Sequence, residues 1–187
     1  MKVVMRHTRR DVIARTRREF AALDRLLGGL RPADWARRVP RPPTRDPWAV
    51  KDALAHILYW KEHSARVVRG ERRLPEMRGL DVNQINRLIY ERWRDRPVRE
   101  LLAWHRRVHA DVLKSLAGRP EEWFGRRERS AQWPLDFDGH SAFHRVKDIE
   151  AALDVPVTAG AAGGRNRRSA GGRRPGAAPA RARPARC

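Results

Sequence analysis

Two histidines four residues apart, His140 and His144, follow an Asp-Gly pair in the stretch Phe137-Asp138-Gly139-His140-Ser141-Ala142-Phe143-His144-Arg145-Val146-Lys147-Asp148-Ile149. On a helix, side chains at i and i+4 stand one above the other on the same face. Two imidazoles so placed can reach one ion, and a third ligand must come from elsewhere in the chain. The best candidate is His56, in the helical run Trp48-Ala49-Val50-Lys51-Asp52-Ala53-Leu54-Ala55-His56-Ile57-Leu58-Tyr59-Trp60. Three neutral imidazoles with an open fourth position are what a catalytic zinc site requires, and nickel or iron would accept the same ligands. Such an ion makes bound water acidic enough to act as a nucleophile, or takes a substrate thiol or carbonyl in its place. The pair has no glutamate after the first histidine, which excludes the His-Glu-x-x-His zinc-protease pattern. The plainer reading makes His140 and His144 polar residues flanking an amphipathic helix, its apolar arc formed by Phe143, Val146, Ile149 and Leu153.

A rival pair, His105 and His109, is also four apart but falls inside an apolar stripe, between Leu101, Leu102, Val112 and Leu116. A histidine there is expected to be a core residue satisfied by a hydrogen bond rather than a ligand. His63 reads as an exposed or rim residue, and His7 lies outside the bundle. Four other residues are candidates for binding a substrate: Trp60, which shares a helical lane with His56, its neighbour Tyr59, and Asn86 with Tyr90. The amide of Asn86 points among large apolar groups, where it must find partners or cost about 1–3 kcal/mol. It therefore lines a ligand cavity or bridges two helices. The carboxylates of Asp52 and Glu62 read as solvated.

The elements that must position these groups are helical. Thr8-Arg9-Arg10-Asp11 has the form of a capping box with Asp in place of Glu, and the apolar spacing beyond it predicts a first helix ending at Gly28-Gly29. Five prolines between Arg31 and Pro47 mark a surface connection. Asp46-Pro47 reads as an N-cap followed by proline at the first helical position, starting a second helix that runs to about Arg69. Lys61 falls inside its apolar arc, so its far half is expected to be less buried. Asp81 caps a third helix, with Val82, Ile85, Ile89 and Trp93 as its stripe. A fourth runs from Pro97 to Gly118, and a fifth from Asp138 to about Leu153. The segment from Arg119 to Leu135, with Trp123 and Trp133, reads as a loop. No strand alternation or internal repeat competes, so the expectation is an all-α, up-and-down four-helix bundle with long loops.

The 187 residues suit one such domain plus a tail. The bundle is assigned to residues 1–155. From 156 to 187 the chain is rich in Arg, Ala, Gly and Pro without large apolar residues, which predicts a disordered tail. The net charge is +20, of which eight arginines and no acid in the tail carry +8, leaving +12 for the rest. Arginine pairs well with phosphate, so the tail could make non-specific contact with a polyanion, but it has no aromatic residue to stack on bases. Cys187 is the only cysteine and allows no internal disulfide, which fits a reducing compartment. No run approaches the roughly 20 apolar residues of a membrane span, and the N-terminus lacks a signal-peptide core. The expectation is a cytoplasmic protein without membrane contact.

Three stretches, Trp48 to Trp60 with His56, Val82-Asn83…Asn86…Tyr90-Glu91-Arg92, and His140-x-x-x-His144…Ile149, resemble the DinB-like (DinB/YfiT) superfamily, and within it the ClbS/DfsB type of four-helix bundle. The resemblance spans roughly residues 8–153. It implies a divalent metal held by one histidine on the second helix and an H-x-x-x-H pair on the last, here His56, His140 and His144. It also implies thiol-dependent transferase or isomerase chemistry, with a low-molecular-weight thiol as a candidate cofactor, and metal-activated water adds hydrolysis of a small reactive molecule as an expectation. ClbS-type proteins instead imply protection without a three-histidine site, here through a cavity lined by Trp60, Tyr59, Asn86 and Tyr90. A third reading, from the charge, is a nucleic-acid-associated protein acting through its tail. Pairing of two bundles into a homodimer is compatible with all three.

Overall fold

A computed structural model describes residues 7–71, 75–125 and 138–154. The expected tail and Trp133 lie outside these described residues. Helix α1 spans Arg9–Gly28, α2 Val50–Val68, α3 Val82–Trp93, α4 Val98–Ala117 and a short α5 Glu121–Gly125. The last helical stretch begins as α6, Gly139–His144, passes through a π-helical segment, Arg145–Glu150, and ends as α7, Ala151–Asp154. Two 3₁₀ turns, Pro32–Ala36 and Pro75–Met77, sit in the connections. The described residues contain no strand, and a single isolated bridge joins Arg38 to Ala49. The all-α bundle expected from the sequence is the fold observed.

Its helices start where side chains replace the missing backbone partners of a first turn. Thr8 Oγ1 accepts from the Asp11 amide at 3.1 Å. At α3 the exchange is reciprocal: the Gln84 amide donates to Asp81 Oδ1 at 2.9 Å and the Asp81 amide to Gln84 Oε1 at 2.8 Å. Helix α2 departs from the expected Asp46-Pro47 start and begins at Val50. The chain before it is held extended, with the Val39 amide donating to the Trp48 carbonyl and the Val50 amide to the Arg37 carbonyl, both at 3.0 Å. The helix can begin only after this bridge, where Asp52 Oδ2 accepts from the Ala49 amide at 2.8 Å. Asp52 is thus a buried cap rather than a solvated acid, and burial raises its pKa. The stretch after Arg119, expected to be a loop, contains α5, whose Phe124 is fully buried.

Helix α2 is the axis of the core. Leu54, Ile57 and Leu58 are fully buried, and the helix packs on α3, α4 and the last helical stretch. Helix α1 packs on α4 and on α6, so α1 and α2 each lie against both of those neighbours. Leu101, Val108, Val112 and Leu116 of α4 and Val12 and Leu23 of α1 close the interior. Asp52 to Tyr59 are all buried, whereas beyond Trp60 only Lys61, Ala65 and Val68 are, so the far half of α2 is the less enclosed one, as expected. Lys61 lies close to His105 and His109 of α4, inside the contact α2 makes there.

The last helical stretch also turns a different face inward. Phe143 and Val146 are about half exposed, while Ser141, Asp148, Ile149 and Ala152 are buried. Of the predicted arc only Ile149 is fully buried, and the buried face runs through Ser141 and Asp148 instead of Phe143 and Val146. The reason lies on α1. Glu19, itself buried, accepts from Ser141 Oγ at 3.0 Å and from the Arg145 guanidinium at 3.2–3.3 Å. A satisfied buried carboxylate makes a polar helix face the better partner for α1.

Candidate metal centre

His56 is on the second turn of α2, and His140 and His144 are on consecutive turns of α6. The three rings meet. His56 Nε2 lies 3.2 Å from His140 Nε2 and 3.3 Å from His144 Nε2, and one nitrogen of each ring falls within 4.8 Å of the others. Two nitrogens bound to one zinc at about 2.0–2.1 Å with tetrahedral angles stand about 3.3 Å apart, so two edges of the triangle already have the dimension of a coordination sphere. Among the described residues no other set of three such side chains comes as close.

The proton inventory points the same way. His144 Nδ1 sits 2.6 Å from Asp148 Oδ2, so Nδ1 carries a proton, and in the neutral ring Nε2 is the nitrogen left with a lone pair facing the centre. His56 is 4% exposed. Burial holds its pKa well below the ordinary value, the nearby His144, His140 and Arg41 push the same way, and only the Asn86 amide opposes them. A buried neutral imidazole has one N–H at most, and so cannot donate to both of the other Nε2 atoms. A cation accepts all three lone pairs where a hydrogen-bond pattern cannot.

Around the triangle the walls are aromatic. Trp48 packs on the His56 ring at 5.0 Å between centroids, and Trp60 lies 6.3 Å from His56 and 6.4 Å from His140. Trp60 Nε1 donates to Asn86 Oδ1 at 3.3 Å, which ties α2 to α3 beside the histidines. Arg41, from the proline-rich connection, lays its guanidinium 3.6 Å above the Trp48 ring. Arg41 and Asn86 also line a cavity of about 550 Å³ that continues between α3 and this connection. The site thus has a closed side at His56 and a roomier side toward Asn86.

The structure brings His56, His140 and His144 together and sets Trp60 and Asn86 beside them. Asn86 does both things expected of it, bridging helices and lining a cavity. Tyr59 faces elsewhere: its hydroxyl meets Met77 Sδ, and it borders a different cavity. Tyr90 is partly buried and lines neither cavity. The rival pair lies apart, against Phe20 of α1, whose ring stacks at 4.6 Å on His105 and 3.7 Å on His109. His105 Nε2 has no hydrogen-bond partner among the described residues, with Asp24 Oδ1 at 3.6 Å, so packing rather than the expected hydrogen bond holds this core histidine. His63 is partly buried, as a rim residue should be, and His7 stays outside the helices, 3.5 Å from Arg15 Nη2. Glu62, read as solvated, accepts from Trp104 Nε1 at 2.8 Å. Three residues of the site, Trp48, Asp148 and Arg41, went unread in the sequence. Asp148 was open to detection by its i+4 spacing from His144, whereas nothing local marks Arg41.

A solved structure, described as an uncharacterised protein from Escherichia coli UTI89, is similar at a TM-score of 0.56 and 14% identity, covering 78% of this chain and 87% of that one. That likeness supports the fold alone. No curated protein matches the chain. A family profile described as the mycothiol maleylpyruvate isomerase N-terminal domain matches residues 16–151, a span that contains all three histidines and Asp148. The chain therefore belongs to the mycothiol maleylpyruvate isomerase N-terminal domain family, a family of DinB-like four-helix bundles.

Proposed function

We propose that the protein is a divalent-metal-dependent enzyme acting on a small electrophile with a low-molecular-weight thiol, as a transferase or isomerase. The observation that carries this is the convergence of three Nε2 atoms, with His144 fixed from behind by Asp148. The thiol is the part suggested by the family's description, which names mycothiol. A divalent cation held there supplies Lewis acidity, which favours a thiolate or hydroxide at neutral pH and polarises a carbonyl.

The chain's own residues do the rest. Asp148 holds the His144 proton on Nδ1, away from the centre. Burial keeps His56 neutral and available as a ligand. Trp48 and Trp60 keep water from the closed side. Arg41 places a positive charge at the neighbouring cavity, suited to holding an anionic group of the thiol or of its partner. Water in place of the thiol makes the same centre a hydrolase, and the assay below separates the two.

The test is metal content of purified protein by mass spectrometry, beside His140→Ala/His144→Ala, followed by consumption of electrophiles with and without mycothiol. Near-stoichiometric zinc, nickel or iron in the parent, lost in the double variant, with turnover that needs both metal and thiol, is the expected result. Turnover without thiol makes the protein a hydrolase. A metal-free parent that takes up none on addition sinks the reading and favours the metal-independent, ClbS-like one.

A further inference from the structure

A second cavity, of about 320 Å³, is bounded by α2, α3 and α4 and shares no lining residue with the cavity beside the histidines. Its walls are aromatic. Trp93 and Trp104 stack with centroids 4.3 Å apart and planes 10° from parallel, and Tyr59 stands across from them on α2. Such a concave, ring-lined space lies at the low end of the roughly 300–1,000 Å³ usual for small-molecule sites.

The charges lining it are unevenly matched. Glu62 accepts from the Trp104 indole N–H at 2.8 Å, and Glu76 accepts from Arg92 Nη2 at 3.2 Å. Both acids are therefore engaged. Two cations are not fully engaged. Arg66 reaches Glu71 through Nη2 at 3.3 Å, while its buried Nε finds no acceptor among the described residues. Arg107, on the exposed side of α4, makes no hydrogen bond or ion pair among the described residues. An unsatisfied buried N–H is costly, and a guanidinium pairs best with a planar oxyanion.

The geometry points to a binding site for a small aromatic carboxylate, distinct from the metal centre and independent of the function proposed for it. The flat apolar body lies against the Trp93, Trp104 and Tyr59 surfaces, and the carboxylate sits between Arg66 and Arg107. The aromatic walls favour a ring over a bare anion such as phosphate. The small volume favours one or two rings.

The test is calorimetric titration of the full-length protein with 2-naphthoate, 2-naphthamide and inorganic phosphate. The expected result is saturable binding of one naphthoate per chain, with the amide and phosphate each at least tenfold weaker. Arg107→Gln, at an exposed position, should weaken naphthoate at least fivefold with unchanged circular dichroism, and Arg66→Gln should act in the same direction. His140→Ala/His144→Ala should leave binding as it was, whether or not the metal reading survives. Absence of saturable binding, equal affinity for the amide or phosphate, or indifference to Arg107→Gln overturns the assignment. Loss of binding in the histidine variant instead overturns it by locating the acid at the metal centre.

Discussion

His144 Nδ1 lies 2.6 Å from Asp148 Oδ2, one turn further along the same helical stretch and within its π-helical segment. The carboxylate is buried, so it orients the imidazole at close range rather than through water. Carboxylates behind ligating histidines fix the tautomer and raise ligand basicity, and their loss typically costs about 10–100-fold in metal affinity. Asp148→Asn should weaken metal binding by that factor and leave the fold intact. Competition against a chelator of known affinity, with circular dichroism alongside, measures both.

Glu19 ties α1 to the helix that carries two of the histidines. Removing one partner of a buried pair leaves the other uncompensated and costs about 3–5 kcal/mol. Arg145 keeps a second partner in Glu150, so Glu19→Ala should fall near the low end, about 3 kcal/mol. Urea denaturation reads this loss, and unchanged stability would remove Glu19 as the anchor of that helix.

The His105 and His109 pair predicts acid sensitivity. Burial first, then the charge of Lys61 on α2, hold their pKa values down to about 3 and about 4, from an ordinary 6.5. Arg106 adds to this at His105 and Arg17 at His109, where Asp24 opposes. The folded protein therefore binds fewer protons than the unfolded chain between about pH 6.5 and these values. Stability is complete above 6.5 and falls as pH drops through that window, by at most about 1.4 kcal/mol per pH unit for each group. Denaturation at pH 7.5, 6 and 5 should show the decline, and His105→Phe should flatten it.

Arg41 should affect substrate more than metal. A hydrogen bond to a charged group contributes about 1.5–3 kcal/mol, so Arg41→Gln should raise KM for an anionic substrate by about tenfold or more. Metal content should be unchanged and kcat little affected. An equal fall in kcat would instead assign Arg41 to the reacting atoms.

The legible part of the molecule was the part governed by local chemistry. The caps at Thr8 and Asp81, the stripes of α3 and α4 apart from the exposed Val82, and the i,i+4 spacing of His140 and His144 are short-range signals. The start of α2 was not legible, because Asp46-Pro47 offers a good local cap that a distant bridge, Arg38 to Ala49, overrides. The inward face of the last stretch was misread for a similar reason. Phe143 and Val146 looked like core, but Glu19, more than a hundred residues away, makes the polar face the one that fits. The histidine triangle itself was legible as three histidines on two helices. Arg41 was not, since only the path of a proline-rich connection carries it to Trp48.

The π-helical segment sets the angular phase between two halves of one rod. Upstream of it the rod presents His140 and His144, the segment itself buries Ile149, and downstream the rod presents Ala152 to the core. A π turn closes its hydrogen bonds at i→i+5 and holds more residues per turn than an α-helix, so deleting one residue inside Arg145–Glu150 would let the segment close up as α-helix with the phase between its flanks nearly kept. An inserted residue has no such outlet, so this segment should tolerate a one-residue deletion better than a one-residue insertion.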